Sequence, residues 1–107
     1  MALPTIEELF GLGATTSANG DGLFIPAATF TAEGISIGTA NSVEAFACVV
    51  KRVHSVIEPN TDETILMTSR LNVSTPSLRN NIETTNFDYG FEFFGAYTEP
   101  ELDPNDL

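Results

Sequence analysis

"NFDYGFEFFGAYT", residues 86–98, holds six of the ten aromatic side chains in a chain of 107 residues, and its reading decides the fold. Phe87, Tyr89, Phe91, Phe93 and Tyr97 stand at odd positions, and Asn86, Asp88, Gly90 and Glu92 at even ones, with Phe94 as the exception. A period of two marks a strand with one apolar face. Aromatic platforms for single-stranded nucleic acid come with a basic groove. Here the rings alternate with Asp88 and Glu92, so the row is assigned to packing.

The same alternation lies just upstream in "TILMTSRLNV", residues 64–73. Ile65, Met67, Leu71 and Val73 are odd, Thr64, Thr68, Arg70 and Asn72 are even, and Leu66 is the exception. "TPSLRNN" (75–81) between them reads as a loop, with Pro76 limiting ladder pairing and Arg79-Asn80-Asn81 suited to a turn. A turn near Asn80 pairs odd with odd and stacks Phe87–Phe93 beside Met67–Val73 as the buried face of a hairpin, residues 63–75 and 82–97. A slip of one residue would bury Arg70, Asp88 and Glu92, so the register is well specified. Leu66 and Phe94 fall on the wet face as diagonal neighbours. Either the N-terminal helix or the tail covers them, or they form a contact surface.

Residues 41–58, "NSVEAFACVVKRVHSVIE", predict one long amphipathic helix over about 42–57. Asn41 caps it, Glu44 completes the box, and Pro59 stops it. Val43, Phe46, Ala47, Val50, Val53 and Ile57 form the stripe expected on the sheet. Ala45, Val49 and Val56 widen the arc to roughly half the circumference, beyond the stripe of about 100° that a surface helix needs. A second cover is therefore expected, either the N-terminal helix or another subunit. That short helix follows Thr5, whose T-x-x-E pattern with Glu8 is a capping box, and it presents Ile6, Leu9 and Phe10 on one face. "GATTSANGDG" reads as loop. Leu23–Ile25, ended by Pro26, and Ile35–Ile37 read as short strands at the sheet edge.

Hydrophobic residues at 42% against 18% charged predict a folded chain, read as a single domain over 1–97 with an acidic tail or arm at 98–107. The net charge is −11, and Lys51, Arg52, Arg70 and Arg79 are the whole cationic complement. Such a field repels phosphates and anionic lipid, so direct nucleic-acid and membrane binding are not expected. The N-terminal residues lack the basic start and apolar core of a signal peptide, no apolar run reaches spanning length, and a lone Cys48 forms no internal disulfide. The expected location is a virion or the cytoplasm.

No motif carries chemistry. Cys48 and His54 lie about 120° apart around the helix, too far for a nucleophile–base pair. One His and one Cys cannot build a structural zinc site. "SANGDG" lacks the first and last acids of a calcium loop, and "GLGATT" lacks the third glycine of a dinucleotide fingerprint. His54 is expected to be partly buried with a local partner, and Cys48 to be packed. No cofactor, metal or small-molecule substrate is expected.

These readings predict an α+β domain with the helix packed on a small antiparallel sheet. The function expected is a non-enzymatic assembly protein that self-associates, such as a virion capsid, decoration or tail component. Its contacts are itself and other subunits, through Leu66, Phe94, Ala45, Val49, Val56, Ile6 and Phe10. The alternatives are an acidic inhibitor that mimics nucleic acid and a small enzyme.

Overall fold

The structure, a computed structural model, describes residues 3–95 and 101–107. It is a mixed α+β fold with three helices, α1 (Ile6–Phe10), α2 (Ala27–Thr31) and α3 (Ser42–Ile57), and six short strands in the described residues. The strands pair as three separate two-stranded antiparallel ladders. β1 (Thr15–Thr16) pairs with β2 (Leu23–Phe24), β3 (Met67–Val73) with β6 (Phe87–Phe93), and β4 (Ser77–Arg79) with β5 (Ile82–Thr84).

The helix ends follow their caps. Thr5 and Glu8 exchange both bonds of a capping box, as do Asn41 and Glu44. α1 stops at Gly11, whose φ of 119° lies in the region glycine alone enters freely.

Between β2 and α3 the expectation fails. The strand stops at Phe24, one residue short of the expected Ile25, and Pro26 is the extended N-cap of α2, which Ala27 and Ala28 then propagate. The helix ends in a Schellman motif: Gly34, at φ 75°, bonds back to Thr31 O, and Ile35 N–H reaches Phe30 O. Ile35 is thus consumed by a helix cap, and residues 36–40 form a turn through Thr39 and Ala40 N–H to Ser36 O. The predicted strand at Ile35–Ile37 is absent. β2 belongs to its own ladder and not to the edge of the main sheet.

The long hairpin keeps the predicted register, Met67 facing Phe93 and Val73 facing Phe87, odd with odd. Leu66 and Phe94 are directly opposed, not diagonal, since Phe94 N–H donates to Leu66 O at 3.0 Å. Leu66 has φ 63°, which takes it out of the strand and explains its break in the alternation. Ile65 sits in a 3₁₀ turn (Glu63–Ile65) and is buried. The segment read as a loop contains β4. Asn80 and Asn81, at φ 53° and 61°, make a two-residue turn of the type I′ kind. Ser74 bonds across to Asn86, while Ser77 faces Thr84. Thr75 and Pro76 therefore oppose Thr85 alone, a bulge that accommodates the missing N–H of Pro76. Tyr97 lies outside the described residues.

The core is small. Ala14, Phe30, Cys48, Ile57 and Ile65 are buried, with Thr29 beside them, where the three helices meet the entry to β3. The hairpin extends away from it. The odd face of the hairpin is consequently not the closed core predicted: Met67, Ser69, Tyr89 and Phe91 are half-buried, but Phe87 and Val73 are 60% and 56% exposed. Helix α3 reaches only one part of that face.

A Cβ at Gly11 would collide with Thr29 Oγ1, which donates to Phe10 O at 2.6 Å and ties α1 to α2. At Gly13 (φ 94°) a Cβ would meet only Pro26 at ordinary contact distance. Gly11→Ala is therefore expected to lower the unfolding free energy by about 2 kcal/mol or more, and Gly13→Ala by about 1 kcal/mol. Urea denaturation followed by circular dichroism measures both, and equal losses would contradict the packing of Thr29 against Gly11.

Candidate functional site: an open apolar cleft between helix and sheet

Two sides of α3 are used differently. The side bearing Cys48 and Arg52 faces α1 and α2: Arg52 Nη2 donates to Glu8 O at 2.8 Å, and Lys51 pairs with Glu33 just beyond α2. Cys48, Ala28, Thr29 and Ala32 line a hollow of 260 Å³ there. Ala45, Val49 and Val56 belong to this side by helical geometry and are half-buried. The second cover of α3 thus comes from the chain's own N-terminal helices.

The other side meets the sheet at its C-terminal end. His54 Nδ1 lies 2.6 Å from Ser69 Oγ on β3, and its ring stands edge-on to Tyr89 on β6 at 5.2 Å between centroids. The local partner expected for His54 is therefore Ser69. A serine beside an imidazole is also a nucleophile–base pair. Neither residue lines any of the three main hollows, however, and the bond joins helix to sheet as a clamp.

Toward its N-terminus α3 parts from the sheet. Phe46 and Val43 are 70% and 75% exposed, although the periodicity places both in the packing stripe. Phe46, Ala47 and Val50 on the helix face Phe87, Tyr89 and Phe91 on β6 across a cleft of 970 Å³. Its rim carries Lys51, Asn86 and Asp88. Apolar side chains on both walls and polar groups at the rim are the pattern of a protein contact surface.

Leu66 and Phe94 come together, as expected, and line a second hollow of 390 Å³ with Asn60, Asp62, Met67 and Thr68. Phe94 is exposed and Leu66 half-buried. Ile6 is exposed and Phe10 half-buried on α1, which packs on α3. Ser69 is absent from the sequence reading, although one signal points to it: it is the one hydroxyl in the odd row of β3, a polar group on an apolar face that needs a partner. Phe46 gave no such signal, because amphipathic periodicity does not report where a helix leaves its sheet.

The polar loop "SANGDG" closes the β1–β2 ladder. Ser17 Oγ accepts from the Asp21 and Gly22 N–H groups and donates to the Asp21 carboxylate at 2.7 Å; Asn19 donates to the second carboxylate oxygen at 2.9 Å. Ser17, then Asn19, holds the Asp21 carboxyl below its ordinary value. Asp62 is lowered by Thr64, whose N–H and hydroxyl both donate to it at 2.9 and 2.8 Å. Lys51 is raised by the Glu33 carboxylate. Among the described residues no group of three His, Cys, Asp or Glu is placed to hold a metal, and no helix is long and apolar enough to cross a membrane.

No family model, curated protein or solved structure matches the chain.

Two measurements test this geometry. His54→Ala and Ser69→Ala are expected to be coupled by about 1 kcal/mol in a double-mutant cycle, the net value of a partly buried hydrogen bond; additive losses would remove the clamp. Because Asp62 has a depressed folded pKa, its stabilisation is complete above the ordinary carboxylate range and is lost as pH falls through the folded value, below about pH 4. Asp62→Asn should therefore flatten the acid limb of the urea midpoint between about pH 4 and pH 2.

Proposed function

We propose that this chain is a non-enzymatic structural subunit that self-associates, the class to which virion capsid, decoration and tail components belong. The observation that carries the reading is surface. The accessible area is 7860 Å² for an 11.5 kDa chain, against about 5800 Å² for a compact monomer of that mass. The radius of gyration is 16.2 Å, against about 13 Å for a chain of 107 residues. The excess of about 2000 Å² exceeds the roughly 800 Å² that one partner contributes to a standard interface.

Much of the exposed apolar area is continuous in kind. Phe46 on α3 and Phe87 on the hairpin line one cleft and are left open, and Val43 and Val73, on the same two elements, are exposed as well. A second copy has the same surface, so an isologous contact covers both at once. On β6 the ring-bearing odd positions alternate with Asp88 and Glu92, whose side chains project from the other face of the strand, with Asp88 at the rim of the cleft.

Sedimentation equilibrium at micromolar concentration is expected to give a mass above 11.5 kDa. Phe87→Asp places a charge in the open face at a site too exposed to alter monomer stability by more than about 0.5 kcal/mol. It should raise the self-association Kd at least about tenfold, equivalent to about 1.4 kcal/mol. A wild-type chain that stays monomeric across this range would sink the reading.

A further inference from the structure

The backbone of β6 indicates how such a contact forms. Phe94 N–H bonds to Leu66 O, and Ser74 N–H to Asn86 O, so the even-numbered positions are the hydrogen-bonded pairs of the β3–β6 ladder. Alternate residues of an antiparallel strand turn their N–H and C=O groups the other way. In β6 those residues are Phe87, Tyr89, Phe91 and Phe93, the same four that carry the aromatic row. β3 is the neighbour of β6 among the described strands, and α3 contacts β3 more than β6. The outer edge of β6 therefore carries the outward backbone groups of four residues, has no partner strand among the described residues, and lies beside an open apolar cleft. Edges that avoid pairing carry Lys, Pro, a bulge or a covering element. β6 has no Lys or Pro and pairs without a bulge over its whole length.

We propose that β6 pairs edge to edge with β6 of a second copy, antiparallel about a two-fold axis at Gly90, giving one four-stranded sheet in the order β3, β6, β6, β3. The inference rests on the self-association reading and specifies its contact. Outward-facing residues must meet outward-facing residues, so odd pairs with odd. Full overlap then sets Phe87 against the second copy's Phe93 and Tyr89 against its Phe91, aromatic pairs on one face. Gly90 meets its own counterpart.

The other face explains why position 90 is a glycine. Arg70 lies across Gly90, so that a Cβ there would come within 2.7 Å of Arg70 Nε and Cζ. The guanidinium thereby extends over β6 toward its free edge. In the paired sheet Asp88 of one copy stands opposite Glu92 of the other, a like-charge contact on each side of the axis. The two Arg70 guanidiniums lie between these carboxylate pairs and offset them. Without side chains at Gly90, both guanidiniums have room at the axis.

The register is tested by disulfide trapping in a Cys48→Ser background. Position 88 of one copy and 92 of the other form a non-hydrogen-bonded pair with Cα atoms about 4.5 Å apart, within disulfide reach, whereas 88 and 88 are about 13 Å apart. Mixing the Asp88→Cys and Glu92→Cys proteins under mild oxidation should give a covalent heterodimer, and neither protein alone should cross-link. Hydrogen exchange on the unaltered chain gives the second measurement: the amides of Phe87, Tyr89, Phe91 and Phe93 should be protected as strongly as those of Asp88, Gly90 and Glu92, and lose protection on dilution. A multimer that forms no mixed disulfide and exchanges the four odd amides freely would overturn the edge pairing while leaving self-association standing. A monomer at all concentrations would remove both.

Discussion

The contact between the C-terminal half of α3 and β3 is what the rest of the structure hangs on. It is the place where a helical cluster built from local caps meets a hairpin built from strand alternation. Ile57, 1% exposed, and the buried Ile65 fill it, and the His54–Ser69 bond fixes its orientation. A chain of this size closes only one modest core. Here that core is used where α1, α2 and α3 converge, and little apolar material remains to cover the sheet. A sixteen-residue helix is about 24 Å long, enough to follow the sheet along its full width. It does not, because its other side is held by Arg52 to α1 and by Lys51 to the turn after α2. The cleft follows from that competition.

A hairpin with one end docked is in an uneasy position energetically. Isolated two-stranded sheets are marginal in water, and a third strand or a packed helix is what gives them independent stability. The β3–β6 ladder has a helix at one end only, and the β4–β5 tip beyond the Thr75–Pro76 bulge has none of its own. Sequence features stabilise it locally instead: the Asn80–Asn81 turn supplies the right twist, and the alternation excludes a shifted register. These choices specify which strands pair without closing the sheet. Additional strands from another copy would supply the missing neighbour at the one place where the chain offers both free backbone groups and apolar side chains.

Legibility followed the range of the interactions involved. Both capping boxes, the α3 boundaries and the hairpin register were legible because each is set by residues a few positions apart or by strict alternation. The Leu66–Phe94 pair was legible as an anomaly, since two apolar side chains broke the same pattern at matched positions. α2 was not, because Pro26 carries two meanings: it limits a strand and caps a helix, and the alanines after it should have decided between them. Ile35 was misread for a similar reason, its alternation with Ser36 being weaker than the Gly34 cap beside it. The exposure of Phe46 lay beyond local reasoning altogether. It depends on how α3 is placed between the sheet and the N-terminal helices, a matter of tertiary contacts such as that of Arg52 with Glu8, 44 residues apart.

A net charge of −11 sets a final condition on any assembly of this chain. Like-charged subunits repel, and the repulsion is long-ranged only as far as salt permits, about 8 Å at physiological ionic strength. Apolar faces can meet under such a field only if the acids are kept off them. The strand period favours this in β6, where Asp88 and Glu92 project from the face opposite the rings and Asp88 comes no nearer than the cleft rim, and the Glu33–Lys51 pair neutralises an acid next to the helix. Arg70, laid over Gly90, brings a positive charge to the middle of the acidic face of the hairpin. The same acids that would penalise random stacking therefore leave one ordered arrangement open, in which aromatic rows meet on one side and guanidiniums separate carboxylates on the other. Net charge and apolar exposure, which look contradictory in the composition, are reconciled by the two faces of a single strand.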